Sequence, residues 1–412
     1  MSRKYGTYGR KIWVPYLIAA VVLILVGIGL LVLRYGRLFG GHLSENPLVT
    51  VLVWVFAVVL IVVGVWFVFY GHGRVQRMQA LSRRRAAARA RAERKRNIDN
   101  GFYITAIGGG TGLSTVLRGL KEISGHIRAI VTVTDDGGSS GRLLEGNTVV
   151  PPGDIRNCLV ALAPRDGILE KMFNYRFENP RELSGHSLGN LMIAGLSDLT
   201  GDTASAISAI GRILNIRGKV IPVTLDDVTL GAEMNDGEEL YGETTIVHDP
   251  RCIRRVFLRP HNAVVNYEAV DAIMDADIIL LGPGSLYTSI IPNLLVPGVI
   301  EALLRTKAPI WYVANIMTQR GETEGYDLSD HIEAIVGLSP KPFLTGVIVN
   351  TKKVTETSSE TYRKGGLSQV ENDMTAVKKY GLRVVGLPLA VEDGFIKHDA
   401  SVLADFIARG KF

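Results

Sequence analysis

Two long apolar runs open the chain. Residues 12–33 and 48–70 make stretches of 22 and 23 residues without a charged side chain. Wound as helices, each reaches roughly 30 Å, the thickness of a bilayer's hydrocarbon core. The first is too long for the apolar part of a cleaved signal sequence, and no small-residue cleavage site precedes Arg34. Together they predict a transmembrane hairpin within residues 1–73, joined by the short connection 34–47.

Past Asn97-Ile98-Asp99-Asn100-Gly101, a cluster of turn residues, the pattern changes. Short β-branched runs at 102–107, 129–134, 220–223, 277–281, 309–313, 345–349 and 383–386 predict strands. Helical periodicity falls between several of them, at 112–122, 155–163, 188–199, 202–214 and 266–275. Such alternation predicts an α/β body over 101–412: a Rossmann-like, mostly parallel sheet with helices on both faces. Residues 228–245 read instead as an antiparallel hairpin turning at Asn235-Asp236-Gly237. The hydroxyl-rich stretch 351–364 reads as an exposed loop.

Charge divides the chain in the same place. Residues 1–100 carry 16 Lys and Arg against three acids, whereas the rest carries 30 against 37. A body of net −7 lacks the clustered cations of a nucleic-acid-binding protein, so no nucleic-acid partner is expected. The basic residues concentrate before the first apolar run and after the second, with only Arg34 and Arg37 between. The positive-inside rule then predicts a multi-pass protein of the cell membrane, with the N-terminus and the body both cytoplasmic. The juxtamembrane linker 74–100, dense in Arg, suits an anionic lipid surface or serves only as the topology signal. Two cysteines, Cys158 and Cys252, exclude a disulfide framework and a multi-cysteine zinc site.

Candidate chemistry sits where strands run into glycines. The first strand leads into Gly108-Gly109-Gly110-Thr111-Gly112-Leu113-Ser114 and then a helix. Glycines let backbone approach a phosphate, and the helix N-terminus supplies free N–H groups and a positive dipole. It is neither a strict G-x-G-x-x-G nor a P-loop, since the lysine is missing. The second strand ends in Asp135-Asp136-Gly137-Gly138-Ser139-Ser140-Gly141-Arg142. Carboxylates there suit a ribose hydroxyl or, beside a diphosphate, Mg²⁺; an Asx turn is the plain alternative. Asp154 and Asn157 lie in Pro151-Pro152-Gly153-Asp154-Ile155-Arg156-Asn157, a helix start that Asp154 is able to cap. His186 and Asn190, four apart in Gly185-His186-Ser187-Leu188-Gly189-Asn190, face one site or are structural. A second strand–glycine–helix junction holds Gly282, Gly284, Ser285 and Thr288, and Asn315 and Thr318 lie in a polar loop placed to close over the cleft. No nucleophile–base arrangement stands out.

These blocks, in this order, resemble the gluconeogenesis factors (YvcK-like), related to the 2-phospho-L-lactate transferases (CofD-like). The resemblance spans about 101–400 and rests on GGGTGLS (108–114), TDDGGSSGRL (134–143), PPGDIRN (151–157), GHSLGN (185–190), LGPGSLYTSIIPNLL (281–295) and NIMTQRGET (315–323). It implies a Rossmann-like body with a UDP-sugar between the glycine loops and a role in cell shape and wall metabolism. The ligand-contacting positions it implies are Gly109, Gly110, Thr111, Gly112, Ser114, Asp135, Asp136, Gly138, Ser139, Asn157, His186, Asn190, Gly282, Gly284, Ser285, Thr288, Asn315 and Thr318. Asp135 and Asp136 are the candidate Mg²⁺ ligands. Relatives of the transferase type carry G-P-S-N-P in the second glycine loop, where this chain has Gly282-Pro283-Gly284-Ser285-Leu286. That type joins a phospholactyl group to a deazaflavin. Expected partners are the nucleotide sugar and the lipid surface, with a homo-oligomer and a cell-wall or regulatory protein left open.

Overall fold

The computed structural model describes residues 17–29, 51–70, 101–138, 141, 150–164, 167–179, 183–410 and 412. It divides into two units, Met1–Lys95 and Arg96–Phe412. In the first, the described parts of both apolar runs are helical, Leu17–Gly29 and Val51–Tyr70. The second helix, of 20 residues, is long and apolar enough to cross a membrane. The two touch through small residues: a Cβ on Gly27 would lie 2.9 Å from the Ala57 carbonyl oxygen, and one on Gly64 3.0 Å from that of Ala20. Those two pairs run in opposite senses along the chain, so the helices are antiparallel, with the close backbone approach that small side chains permit. Residues 12–16 and 30–33 of the first predicted span, the connection 34–47 and the basic segment 74–96 lie outside the described residues.

The second unit opens with β1 (Ile104–Gly108), β2 (Ile127–Val131) and β3 (Lys219–Pro222). Next come β4 (Thr229–Met234), β5 (Glu239–Tyr241) and β6 (Ile253–Arg259), which pair antiparallel as a separate sheet in the order β5-β4-β6. β7 (Ile278–Leu281), β8 (Ile310–Val313), β9 (Gly346–Asn350) and β10 (Arg383–Leu387) follow, and then a hairpin of β11 (Ala390–Asp393) and β12 (Phe395–His398). The main sheet runs β10-β9-β8-β7-β1-β2-β3, and every neighbouring pair is parallel. Every residue of β1, β7, β8 and β9 is buried. Since successive side chains point to opposite faces, both faces of the sheet are covered, which is why these strands read as unbroken apolar runs.

The second unit begins beside the sheet's centre at β1, moves out through β2 to β3, and returns to the other side of β1 at β7. The β1–β7 boundary is therefore the topological switch point, where open α/β sheets leave a crevice beyond their strand C-termini. Both glycine-rich segments emerge there.

The predicted strands match within a few residues, and the hairpin turns where expected, with Gly237 at φ +88°. One expectation fails. Within 351–364 the chain forms a helix, Glu356–Arg363, whose N-cap Thr355 accepts a bond from the Ser358 N–H. It buries none of its residues, so no apolar stripe announced it.

Candidate functional site

The first junction is built by glycines under two different constraints. A Cβ at Gly109 would come within 2.5 Å of Asp154 Oδ2 and 2.7 Å of Thr132 Cγ2, and one at Gly112 within 2.4 Å of the Pro283 carbonyl oxygen. Space requires glycine at both positions. Gly110 is different: its Cβ would find only Ser289 Oγ, at 3.6 Å, but its φ is +61°. The left-handed backbone, not crowding, selects glycine there. The helix Gly110–Leu120 starts at this turn with no side-chain cap from Gly109 and no acid in its own first turn, so its N-terminus faces the crevice without a cap from its own segment.

The second junction leaves β7 through Gly282, at φ +78°, and enters a helical segment, Leu286–Ile290, continued as Ile291–Leu295. Here the donors are already used. Glu322 Oε2 accepts from the Tyr287 N–H at 3.0 Å and Oε1 from the Thr288 hydroxyl at 3.1 Å, and the Ser285 hydroxyl adds a further bond. Burial pushes the Glu322 pKa up, and these donors hold it back. Asn293, fully buried, ties the two junctions together by donating to the Gly108 carbonyl at 3.1 Å and the Ser289 carbonyl at 2.7 Å.

Between the junctions lies a cleft of about 590 Å³, lined by acids. Asp135, Asp154, Glu243 and Glu322 face it, and among its described lining residues the only Lys or Arg is Arg320. Asp154 sits in the first turn of the helix Pro152–Leu162 but does not cap it; the N-cap is Pro151. Instead its carboxylate accepts from the Gly110 N–H, and burial together with the Asp135 charge raises its pKa to about 6. Glu243 is pushed up to about 9 by burial and by the charges of Asp135, Asp154, Glu322 and Asp136. It is therefore protonated at neutral pH and presents an O–H. The cleft concentrates negative charge that a cation or a shared proton relieves.

Asp136 turns away from its neighbour. Its Oδ1 accepts from the Thr244 N–H at 2.9 Å and the Thr244 hydroxyl at 2.7 Å, docking the start of the helix Glu243–His248 onto the loop after β2. A Cβ at Gly321 would lie 2.0 Å from the Val247 carbonyl oxygen, so the other end of that helix presses on the loop after β8. The inserted antiparallel sheet thereby carries Glu243 over the crevice.

At the β8 side, Asn315 donates to Gln319 Oε1 at 3.2 Å and Gln319 donates to Ser285 Oγ at 2.9 Å, joining the polar loop to the second junction. Thr318 is locked to Ser368 by backbone and hydroxyl bonds. Tyr362 and His398 close this end. His398 Nε2 donates to the Ala314 carbonyl at 3.0 Å, which leaves Nδ1 an acceptor, and burial lowers its pKa to about 4. The ring is neutral.

Of the residues singled out from sequence, Gly109, Gly110, Thr111, Gly112, Asp135, Gly284, Ser285, Thr288, Asn315 and Thr318 line this one cleft. Ser114 is buried behind it, bonding back to the Thr111 carbonyl, and Gly282 shapes the turn rather than lining the cleft. Asn157 and Asn190 gather elsewhere, around Arg156, which donates to Ser187 Oγ at 2.6 Å and Asn157 Oδ1 at 2.7 Å; His186, next to Ser187, is buried with them. Gly138, at φ +50°, and Asp136 shape the loop after β2. Ser139 lies outside the described residues. Sequence reasoning missed Glu243, Glu322, Gln319, Tyr362 and His398. Among the described residues, no three His, Cys, Asp or Glu side chains stand ready to hold a metal ion.

Comparison with known proteins fits this geometry. Residues 104–390 match the family model described as 2-phospho-L-lactate transferase CofD. The gluconeogenesis factor of Halalkalibacterium halodurans is 44 % identical over 309 residues, covering 75 % of this chain and 96 % of that protein. That of Bacillus subtilis is 42 % identical over 309 residues, covering 74 % and 98 %. The crystal structure of a UPF0052 family member from Bacillus halodurans superposes with a TM-score of 0.72 at 44 % identity, covering 74 % of this chain and 98 % of that one. The chain belongs to the family of the gluconeogenesis factors, built on the CofD fold.

Proposed function

We propose that this chain is a membrane-anchored, cytoplasm-facing protein that binds a UDP-sugar and regulates cell shape and cell-wall metabolism. The observation that carries the reading is the helix start at Gly110, uncapped beyond the one amide that Asp154 takes, at the switch point of the sheet and opening into a polar cleft. The diphosphate would rest on the Thr111 and Gly112 amides, and the sugar would extend toward Ser285, Gln319 and Asn315. Because the cleft is acidic, the diphosphate would bring Mg²⁺ with it. Asp135 would complete the ion's shell alongside phosphate oxygens, in keeping with the few carboxylates that Mg²⁺ takes in such sites. Two apolar helices ahead of the body, the second long enough to span a bilayer, support the anchor. The basic linker would hold the body near anionic lipid.

The match to the CofD model supports a second reading, a transferase that moves a phospholactyl group to a deazaflavin. Calorimetry of the full chain with UDP-glucose and Mg²⁺, followed by chromatography of the recovered ligand, separates the two. The regulator reading expects binding with the nucleotide sugar intact. Its consumption, or a phospholactyl-deazaflavin product from the activated substrate, would favour the enzyme.

A further inference from the structure

The two glycine junctions share a design but differ in what fills them. At the first, one amide, that of Gly110, is taken by Asp154, and the helix start is otherwise uncapped. At the second, the Tyr287 amide and the Thr288 and Ser285 hydroxyls converge on the buried carboxylate of Glu322, which faces the cleft. An internal carboxyl group thus occupies the donors that would otherwise receive an anionic group of a ligand.

We propose that Glu322 sets the charge selectivity of the cleft: it admits a nucleotide sugar whose sugar is neutral and excludes one whose sugar carries a carboxylate. The inference rests on the nucleotide-sugar reading above, with the diphosphate at the first junction and the sugar toward the second. A sugar carboxylate would face the Glu322 carboxyl, whose nearest donors are already spent on it. The Tyr287 amide and the Thr288 and Ser285 hydroxyls are already committed to Glu322, and Gln319 donates to Ser285; among the described lining residues Arg320 is the one Lys or Arg that a sugar carboxylate could still meet. Glu322 acts as a specificity residue and as the group that positions the Leu286 segment.

UDP-glucose and UDP-glucuronate differ only at C6, a hydroxymethyl in one and a carboxylate in the other. Titrated into the full-length chain in detergent, UDP-glucose should bind at least about tenfold more tightly. Glu322→Gln keeps the shape: its amide oxygen accepts from the Tyr287 N–H and its NH₂ donates to the Thr288 hydroxyl, which is able to reverse. Whatever its affinity for UDP-glucose, that variant should narrow the preference to about threefold or less. UDP-glucuronamide needs no variant, and with its charge removed it should bind the parent like UDP-glucose. Equal binding of UDP-glucose and UDP-glucuronate by the parent would overturn the inference, as would an unchanged preference in Glu322→Gln. Failure of every UDP-sugar to bind would instead sink the nucleotide-sugar reading, and this inference with it.

Discussion

The first glycine junction is held mostly open, with one amide given to Asp154, and the second is held shut on Glu322, although both are a buried strand, a glycine turn and a helix start. The first gives only its Gly110 amide to Asp154 and leaves the rest of its helix start uncapped; crowding demands glycine at 109 and 112, and the +61° backbone demands it at 110. The second uses its donors internally, on Glu322, and serves as a wall. A strand–glycine–helix pattern therefore locates a crevice, but it does not say which of its ends receives a ligand. That depends on how many of the donors the protein's own carboxylates take: Asp154 takes one amide at the first junction, whereas Glu322 gathers an amide and two hydroxyls at the second.

The sharpest way to break the contrast is to fuse the two junctions. Gly112→Val would drive side-chain carbon into the Pro283 carbonyl, which a Cβ alone already approaches to 2.4 Å. We expect a loss of about 3 kcal/mol, the upper end for overpacking, with a clear fall in Tm and no ligand binding. A parent-like Tm would mean that the loops are not pressed together.

Proton linkage comes next in size. Folded Asp154 holds its proton to about pH 6, whereas the unfolded chain releases it near the ordinary aspartate value of 3.8. Between those values the folded state binds more protons, so stability falls as pH rises through that window. The penalty reaches on the order of 3 kcal/mol above pH 6. Glu243, raised to about 9, extends the same downward trend toward alkaline pH. Denaturation midpoints measured between pH 5 and 9 should fall with pH, less steeply in Asp154→Asn and Glu243→Gln. A profile identical in both variants would remove the acidic-cluster account.

The tie between the junctions is the third point of attack. Asn293→Ala leaves the Ser289 carbonyl without its 2.7 Å donor and opens a small void, at a cost of about 2 kcal/mol. Hydrogen exchange should quicken at Gly108–Gly112 and at Leu286–Leu295 together. Faster exchange at only one of them would show that Asn293 does not couple the two.

Much of this architecture was legible in the sequence because it is written locally. Strands buried on both faces leave continuous β-branched runs, and a glycine at positive φ marks its own turn, as at Gly237. Ten of the singled-out residues fell on one cleft for that reason. What stayed hidden is non-local. Glu322 meets Tyr287 across 35 positions, and Asp136 docks the Glu243 helix across 108. No periodicity reports such a pairing. The role of Asp154 stayed open because a carboxylate in a first turn looks the same in sequence whether it caps its own helix or reaches the Gly110 amide of another.

The central claim is that the ligand's phosphates sit on the open junction. Calorimetry of UDP-glucose with Mg²⁺ against the parent and Gly110→Ala tests it most directly, since the added methyl meets nothing closer than 3.6 Å and acts only through the +61° backbone. Straining that turn costs about 1–2 kcal/mol and re-aims the amides after it. The account predicts at least about a tenfold loss of affinity in a protein that remains folded. Unchanged affinity would place the phosphates elsewhere.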